Sequence, residues 1–187
     1  MFIQTEQTPN PQTLKFLPGK VVMEDGTAFY QKSEESANSP FAKRLFDVEG
    51  VEGVFFGSDF ITITKAQSTD WQVMKPLVLG SIMDHYNSGE ETIIKDEKKE
   101  NNSLELNEND DDVVKQIKEL LDTRVRPAVA MDGGDIIYDS FKDGVVYLHM
   151  QGACSGCPSS TATLKMGIEN MLKHYVPEVQ EVRPIDG

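Results

Sequence analysis

Cys154 and Cys157 are the only cysteines among 187 residues, and they stand two residues apart in Cys154-Ser155-Gly156-Cys157-Pro158. Thiols at that spacing bind a metal, hold an iron–sulfur cluster, or cycle as a disulfide, and all three chemistries run through the thiolate. A structural zinc or a cubane cluster takes about four ligands. One chain supplies two sulfurs. Either the pair is a two-electron dithiol, or the missing ligands come from elsewhere.

The neighbouring residues sharpen the site. A strand is expected before Cys154, and a helix is expected to begin right after Cys157. Unpaired N–H groups and the positive end of the helix dipole favour an anion there, so both thiols are predicted to have a lowered pKa. Gly152 and Gly156 clear side-chain bulk on either side, letting backbone approach a ligand. Ser159, Ser160 and Thr161 offer capping hydroxyls, and Met150, Ala153 and Leu164 form apolar shoulders that limit water. The spacing, the glycines and the helix start argue against two inert buried cysteines. They do not separate a cluster from a disulfide or a zinc.

Other chemistry-bearing residues read as structural. His149 is expected as a half-exposed strand histidine and not a ligand, His174 as a cation at a helix end, and His85 as a residue without a role. Asp132-Gly133-Gly134-Asp135 reads as a turn rather than a cation site. Asn107 to Asp112 is acidic but lacks the glycine and distal glutamate of a calcium loop. Met150, Met166 and Met171 are expected in packing, and Phe55-Phe56 in a hairpin core.

The elements that must position the cysteines follow from periodicity and breakers. In the C-terminal part, Val113, Ile117, Leu120, Leu121 and Val125 form an apolar helical stripe behind Asp110-Asp111-Asp112, with Arg124 and Arg126 in its last turn. Ile136-Ile137-Tyr138 and residues 145–150 read as strands joined across Lys142-Asp143-Gly144. A helix over residues 159–175 carries Leu164, Ile168, Met171, Leu172 and Tyr175 inward, and residues 179–185 close the chain as a strand.

The N-terminal part shows strands near residues 1–6 and 13–17, a turn at Thr8-Pro9-Asn10-Pro11, and a short strand near residues 28–30. Ser39 and Pro40 start a helix as N-cap and first residue. Val54-Phe55-Phe56 and residues 60–64 form a hairpin around Gly57-Ser58-Asp59. Asp70 caps a last helix with Trp71, Met74, Val78, Ile82 and Tyr86 on one face, its regular part expected to begin near Pro76.

The predicted fold class is α+β in two small domains, β-β-α-β-β-α over residues 1–87 and α-β-β-α-β over residues 110–187. Residues 88–109 are rich in charge and poor in aliphatics, so they cannot bury enough surface to order themselves and read as an acidic flexible linker. A formal charge of −13 gives no broad footprint for nucleic acid or an anionic membrane. No apolar run approaches the roughly 20 residues of a spanning helix. Paired cysteines suit a reducing compartment, and the first residues carry neither a secretory signal nor an Arg-rich presequence, which favours a bacterial cytoplasm over a processed mitochondrial chain.

Two stretches carry a family resemblance. Asp132-Gly133-Gly134-Asp135, then Gly152-Ala153-Cys154-Ser155-Gly156-Cys157-Pro158-Ser159-Ser160, then Tyr175-Val176-Pro177-Glu178-Val179 resemble the NifU-like (Nfu) cluster-binding domain. Gln4 to Pro11, Leu14-Lys15-Phe16, Pro18-Gly19, Arg44-Leu45-Phe46-Asp47, Val54 to Gly57 and Phe60-Ile61-Thr62 resemble the N-terminal domain of Nfu-type proteins. The resemblance implies an iron–sulfur cluster scaffold or carrier, not an enzyme. It implies a 4Fe–4S cluster bridging two chains, with Cys154 and Cys157 as each chain's ligands. It implies upstream cluster-assembly proteins and apo iron–sulfur clients as partners. A dithiol–disulfide oxidoreductase and a zinc-bridged dimer remain the alternatives.

Overall fold

A computed structural model describes residues 1–94 and 110–185; for Pro158 and Ser160 the description stops at the backbone. The chain divides into two compact units, residues 1–100 and 101–187. Most of the expected linker, including Leu104 and Leu106, lies outside the described residues.

In the N-terminal unit, β1 (Gln4–Gln7), β2 (Thr13–Leu17), β3 (Ala28–Tyr30), β4 (Val51–Phe56) and β5 (Ile61–Lys65) form one antiparallel sheet in the order β1-β2-β5-β4-β3. The hairpin expected at Gly57-Ser58-Asp59 is present, with Phe56 opposite Ile61. Phe55 and Phe56 are fully buried on opposite faces, as their hairpin position requires. Helices α1 (Pro40–Phe46) and α2 (Trp71–Ser88) cover one face, where Phe41, Leu45, Val78 and Ile82 meet Leu14, Phe16, Val54 and Ile63.

Ser39 caps α1 by accepting from Ala42 N at 3.0 Å, and Asp70 caps α2 by accepting from Gln72 N at 2.8 Å. The second helix therefore begins at Trp71 and carries Pro76 inside it, not at its start. Residues 89–94, which fall in the expected linker, hydrogen-bond back to this unit. Ser39 Oγ donates to Thr92 O at 2.6 Å, Ile94 N donates to Asn38 O at 2.8 Å, and Arg44 pairs with Glu90 at 2.9 Å.

The C-terminal unit has the α+β arrangement expected. Strands β6 (Gly134–Lys142), β7 (Val145–Gly152) and β8 (Glu181–Ile185) form a sheet in the order β6-β7-β8. The first pair is antiparallel through a tight turn in which Asp143 and Gly144 both take positive φ, 51° and 78°. The second pair is parallel, so α5 (Pro158–Tyr175) is its crossover.

The first helix does not end at Arg126. It runs as α3 (Asp112–Leu120), a π-helical stretch (Leu121–Val125) and α4 (Arg126–Met131). Pro127 lies inside this run, where a proline ring clashes with the carbonyl four residues back. The widened π stretch absorbs that clash, with Arg126 N donating to Leu121 O. The continuation buries Val129 and delivers the chain to the glycine turn. One face of the sheet buries Ile136, Val146 and Leu148 against Ile117, Leu121, Ile168 and Leu172. No helix among the described residues is long and apolar enough to cross a membrane.

Candidate metal centre

The cysteines sit where β7 hands over to α5. Gly152 ends the strand with φ 65°, Ser155 N donates to Gly152 O at 3.1 Å, and Gly156 takes φ 78° before Cys157 caps the helix. Both glycines therefore occupy the left-handed region that other residues resist. Thr161 N donates to Cys157 O at 2.9 Å, the first bond of α5. The Thr161 hydroxyl does not cap the helix; it reaches back and donates to Cys154 O at 2.9 Å, fastening the loop to the first turn. Ser159 Oγ lies 3.4 Å from Cys157 Sγ.

The floor of the site comes from the Asp132-Gly133-Gly134-Asp135 turn. Ala153 N donates to Gly133 O, and Gly134 pairs with Gly152 across the β6–β7 ladder. A Cβ on Gly134 would stand 2.6 Å from Cys154 Sγ and 2.6 Å from Gln151 O, closer than real contacts allow. The missing side chain is thus the space in which the sulfur lies. Asp135 is buried and held by a fork from Arg126, Nε to Oδ1 at 2.9 Å and Nη2 to Oδ2 at 3.0 Å. That pair pins α4 to β6 directly beneath the turn, a role the sequence reading of Arg126 as a helix-end cation did not include.

Neither cysteine is in a disulfide; Cys154 is buried and Cys157 half-buried. The expectation of a lowered pKa fails for Cys154. Burial, and then the carboxylates of Asp132 and Asp135, push its thiol up to about 12. Its sulfur lies against the Gly134 backbone, where desolvation outweighs the dipole of α5. A metal entering this site must displace a proton from Cys154.

Among the described residues no group of three or more His, Cys, Asp or Glu converges on a metal-sized site. His149 is the half-exposed strand residue expected, its Nε2 3.4 Å from Asp139. Met150 is buried and Met171 packs against the core, but Met166 is 65% exposed, contrary to the expectation that it packs. His174 is exposed at the end of α5. His85, read as without a role, is a core residue of the other unit.

Sequence comparison agrees with this architecture. Residues 3–89 match the family described as "Scaffold protein Nfu/NifU N terminal", and residues 117–183 match "NifU-like domain". The chain is 51% identical to the human "NFU1 iron-sulfur cluster scaffold homolog, mitochondrial" over 187 residues, covering 99% of this chain and 72% of that one. This chain belongs to the Nfu/NifU family.

Two further family members extend the comparison. "NifU-like protein 4, mitochondrial" of Arabidopsis thaliana is 50% identical over 184 residues, 97% of this chain and 65% of that one. The Drosophila persimilis "NFU1 iron-sulfur cluster scaffold homolog, mitochondrial" is 53% identical over 186 residues, 99% of this chain and 65% of that one. The chain thus spans just under two thirds of the length of these two relatives. All three relatives are named mitochondrial, so the expectation of a bacterial cytoplasm finds no support among them.

Proposed function

We propose that this Nfu-family chain is a carrier that accepts an iron–sulfur cluster, holds it between two copies through Cys154 and Cys157 of each, and passes it to apo-proteins. The observation that carries the reading is the half-site itself. Two cysteines outside any disulfide stand on one loop framed by two positive-φ glycines, Cys154 in the space that Gly134 leaves, and among the described residues no group of three or more His, Cys, Asp or Glu forms a metal site. Two such half-sites supply the about four thiolates of a 4Fe–4S cluster. The names of the relatives as cluster scaffolds support the cargo.

The cluster is cargo, and the chain's own contribution is binding and release. Thr161 and the Gly133 carbonyl fix the loop, so the two sulfurs keep their relative placement. A site divided between copies opens by exchanging one copy for a client's thiolates. We assign it no turnover of its own. Its partners are a second copy, upstream assembly proteins and apo clients, and its compartment is the mitochondrial matrix.

Transfer tests the reading. Anaerobically reconstituted protein is expected to restore activity to an apo-enzyme that requires a 4Fe–4S cluster, and Cys154→Ser or Cys157→Ser is expected to abolish the restoration. Restoration at the wild-type rate by either variant would overturn it. A colourless zinc-bound dimer that takes up no iron and sulfide would also overturn it, favouring the zinc-bridged alternative. Robust disulfide reductase turnover would move the assignment to an enzyme.

A further inference from the structure

The flank of the half-site carries an exposed, uncharged helix face. Helix α5 buries Ile168 and Leu172, packs Leu164 partly buried against the core, and turns Ser159, Ala162, Thr163, Met166 and Asn170 to solvent. Their three- and four-residue spacing puts them on one face. That face starts at Cys157, whose sulfur contacts Ser159, and its centre is Met166, 65% exposed. A second exposed methionine, Met131 at 75%, stands at the end of α4, two residues before Gly133, whose carbonyl holds Ala153. Two large apolar side chains thus stand exposed on the elements that flank one metal half-site.

Charge decides the occupant. The chain carries −13, so two copies repel wherever charged surfaces meet. Yet no residue between Asp143 and Lys165 bears a formal charge, and the outward stripe of α5 is uncharged through Asn170. Lys165 stands beside the stripe and pairs with Glu181 at 3.7 Å. An uncharged face of small polar residues around one exposed methionine, bordering a site that lacks half its ligands, suits a self-complementary contact around a two-fold axis.

We propose that the outward face of α5, centred on Met166, together with Met131, is the surface on which the second copy packs when two chains share a cluster. This rests on the bridged-cluster reading above. The contact is small and by itself too weak for a stable dimer, which normally buries about 1,200 Å² or more. Cluster ligation supplies the rest, so the apo chain is monomeric and the loaded chain dimeric.

The test uses the full chain, reconstituted anaerobically with ferrous iron and sulfide and examined by sedimentation velocity. Met166→Lys and Met166→Glu each place like charges on both copies. Each is expected to lower the dimer fraction, with an apparent dimer affinity down about tenfold, equivalent to about 1.4 kcal/mol. Leu77→Lys, on the exposed side of α2, is expected to leave it unchanged. An equimolar mixture of the two Met166 variants is expected to regain dimer, which a folding defect would not permit. If wild type dimerises and the Met166 variants do so equally well, or the mixture regains nothing, the surface assignment is overturned and the bridged cluster stands. If loaded wild type stays monomeric, the bridged reading itself is overturned, and the surface with it.

Discussion

At the scale of single residues, the site depends on an atom that is missing. Gly134 gives Cys154 its space, so Gly134→Ala must push the sulfur or the Gln151 carbonyl aside. Overpacking of this kind costs about 1–3 kcal/mol. Urea unfolding is expected to show that loss in the C-terminal unit, and reconstitution to show less iron retained per chain; an unchanged midpoint with full iron would contradict the packing described. The cysteine spacing and the two flanking glycines were legible in the sequence because they are local. The contribution of Gly134 was not, since it meets Cys154 only after β6 and β7 pair in their particular register. The pKa of Cys154 was misjudged for a related reason. A helix start is visible in a sequence, but the depth at which a neighbouring sulfur is buried is not.

At the scale of elements, α1 and α2 are joined by groups that local pattern alone undervalues. Ser39 accepts from Ala42 N and donates to Thr92 O, so one hydroxyl both caps α1 and anchors residues 89–94. Ser39→Ala is expected to cost about 1 kcal/mol from the lost cap and to raise hydrogen exchange across residues 89–94. Wild-type exchange there would contradict the anchoring role. His85 of α2 is 1% exposed and stacks on Phe41 of α1 at 3.8 Å, with Nδ1 lacking a partner among the described residues. Burial, then Arg44, lowers its pKa, with Glu90 opposing.

The folded state therefore favours neutral His85. Its contribution is fully present above the unfolded histidine pKa of about 6.5 and is lost as pH falls through the lower folded value. Comparing unfolding at pH 7 and pH 5, wild type is expected to lose more stability on acidification than His85→Leu; equal losses would count against it. Most element order was readable, because Ser39-Pro40, Asp70 and the Gly57-Ser58-Asp59 turn are strong local signals. The end of the first helix was placed too early, at Arg124 and Arg126, because the continuation through the π stretch accompanies packing of Val129 and the pairing of Arg126 with Asp135, which are not local signals.

At the scale of the molecule, each unit has its own core. All the cysteines lie in the second, so residues 110–187 alone are expected to take up iron and sulfide in the full chain's proportion. The first unit contributes no thiolate, which leaves it two roles, recognition of clients or assembly partners and control of access to the site, and transfer separates them. If the role is recognition, removing residues 1–94 slows transfer to some apo-proteins and not others. Unchanged transfer to every one would remove the recognition role. The two-domain α+β organisation was legible from composition and periodicity, whereas the cargo was not. Two thiols in sequence serve a cluster, a zinc or a disulfide equally well, and kinship with the Nfu/NifU family selects among them.

The most direct measurement is iron and sulfide content together with molecular mass on the same anaerobically reconstituted full-length sample. About four irons and four sulfides per two chains in a cluster-dependent dimer, reverting to monomer when the cluster is removed, is the expected result. A loaded monomer, a dimer that persists without metal, or a dimer holding zinc but no sulfide would contradict a cluster shared through Cys154 and Cys157.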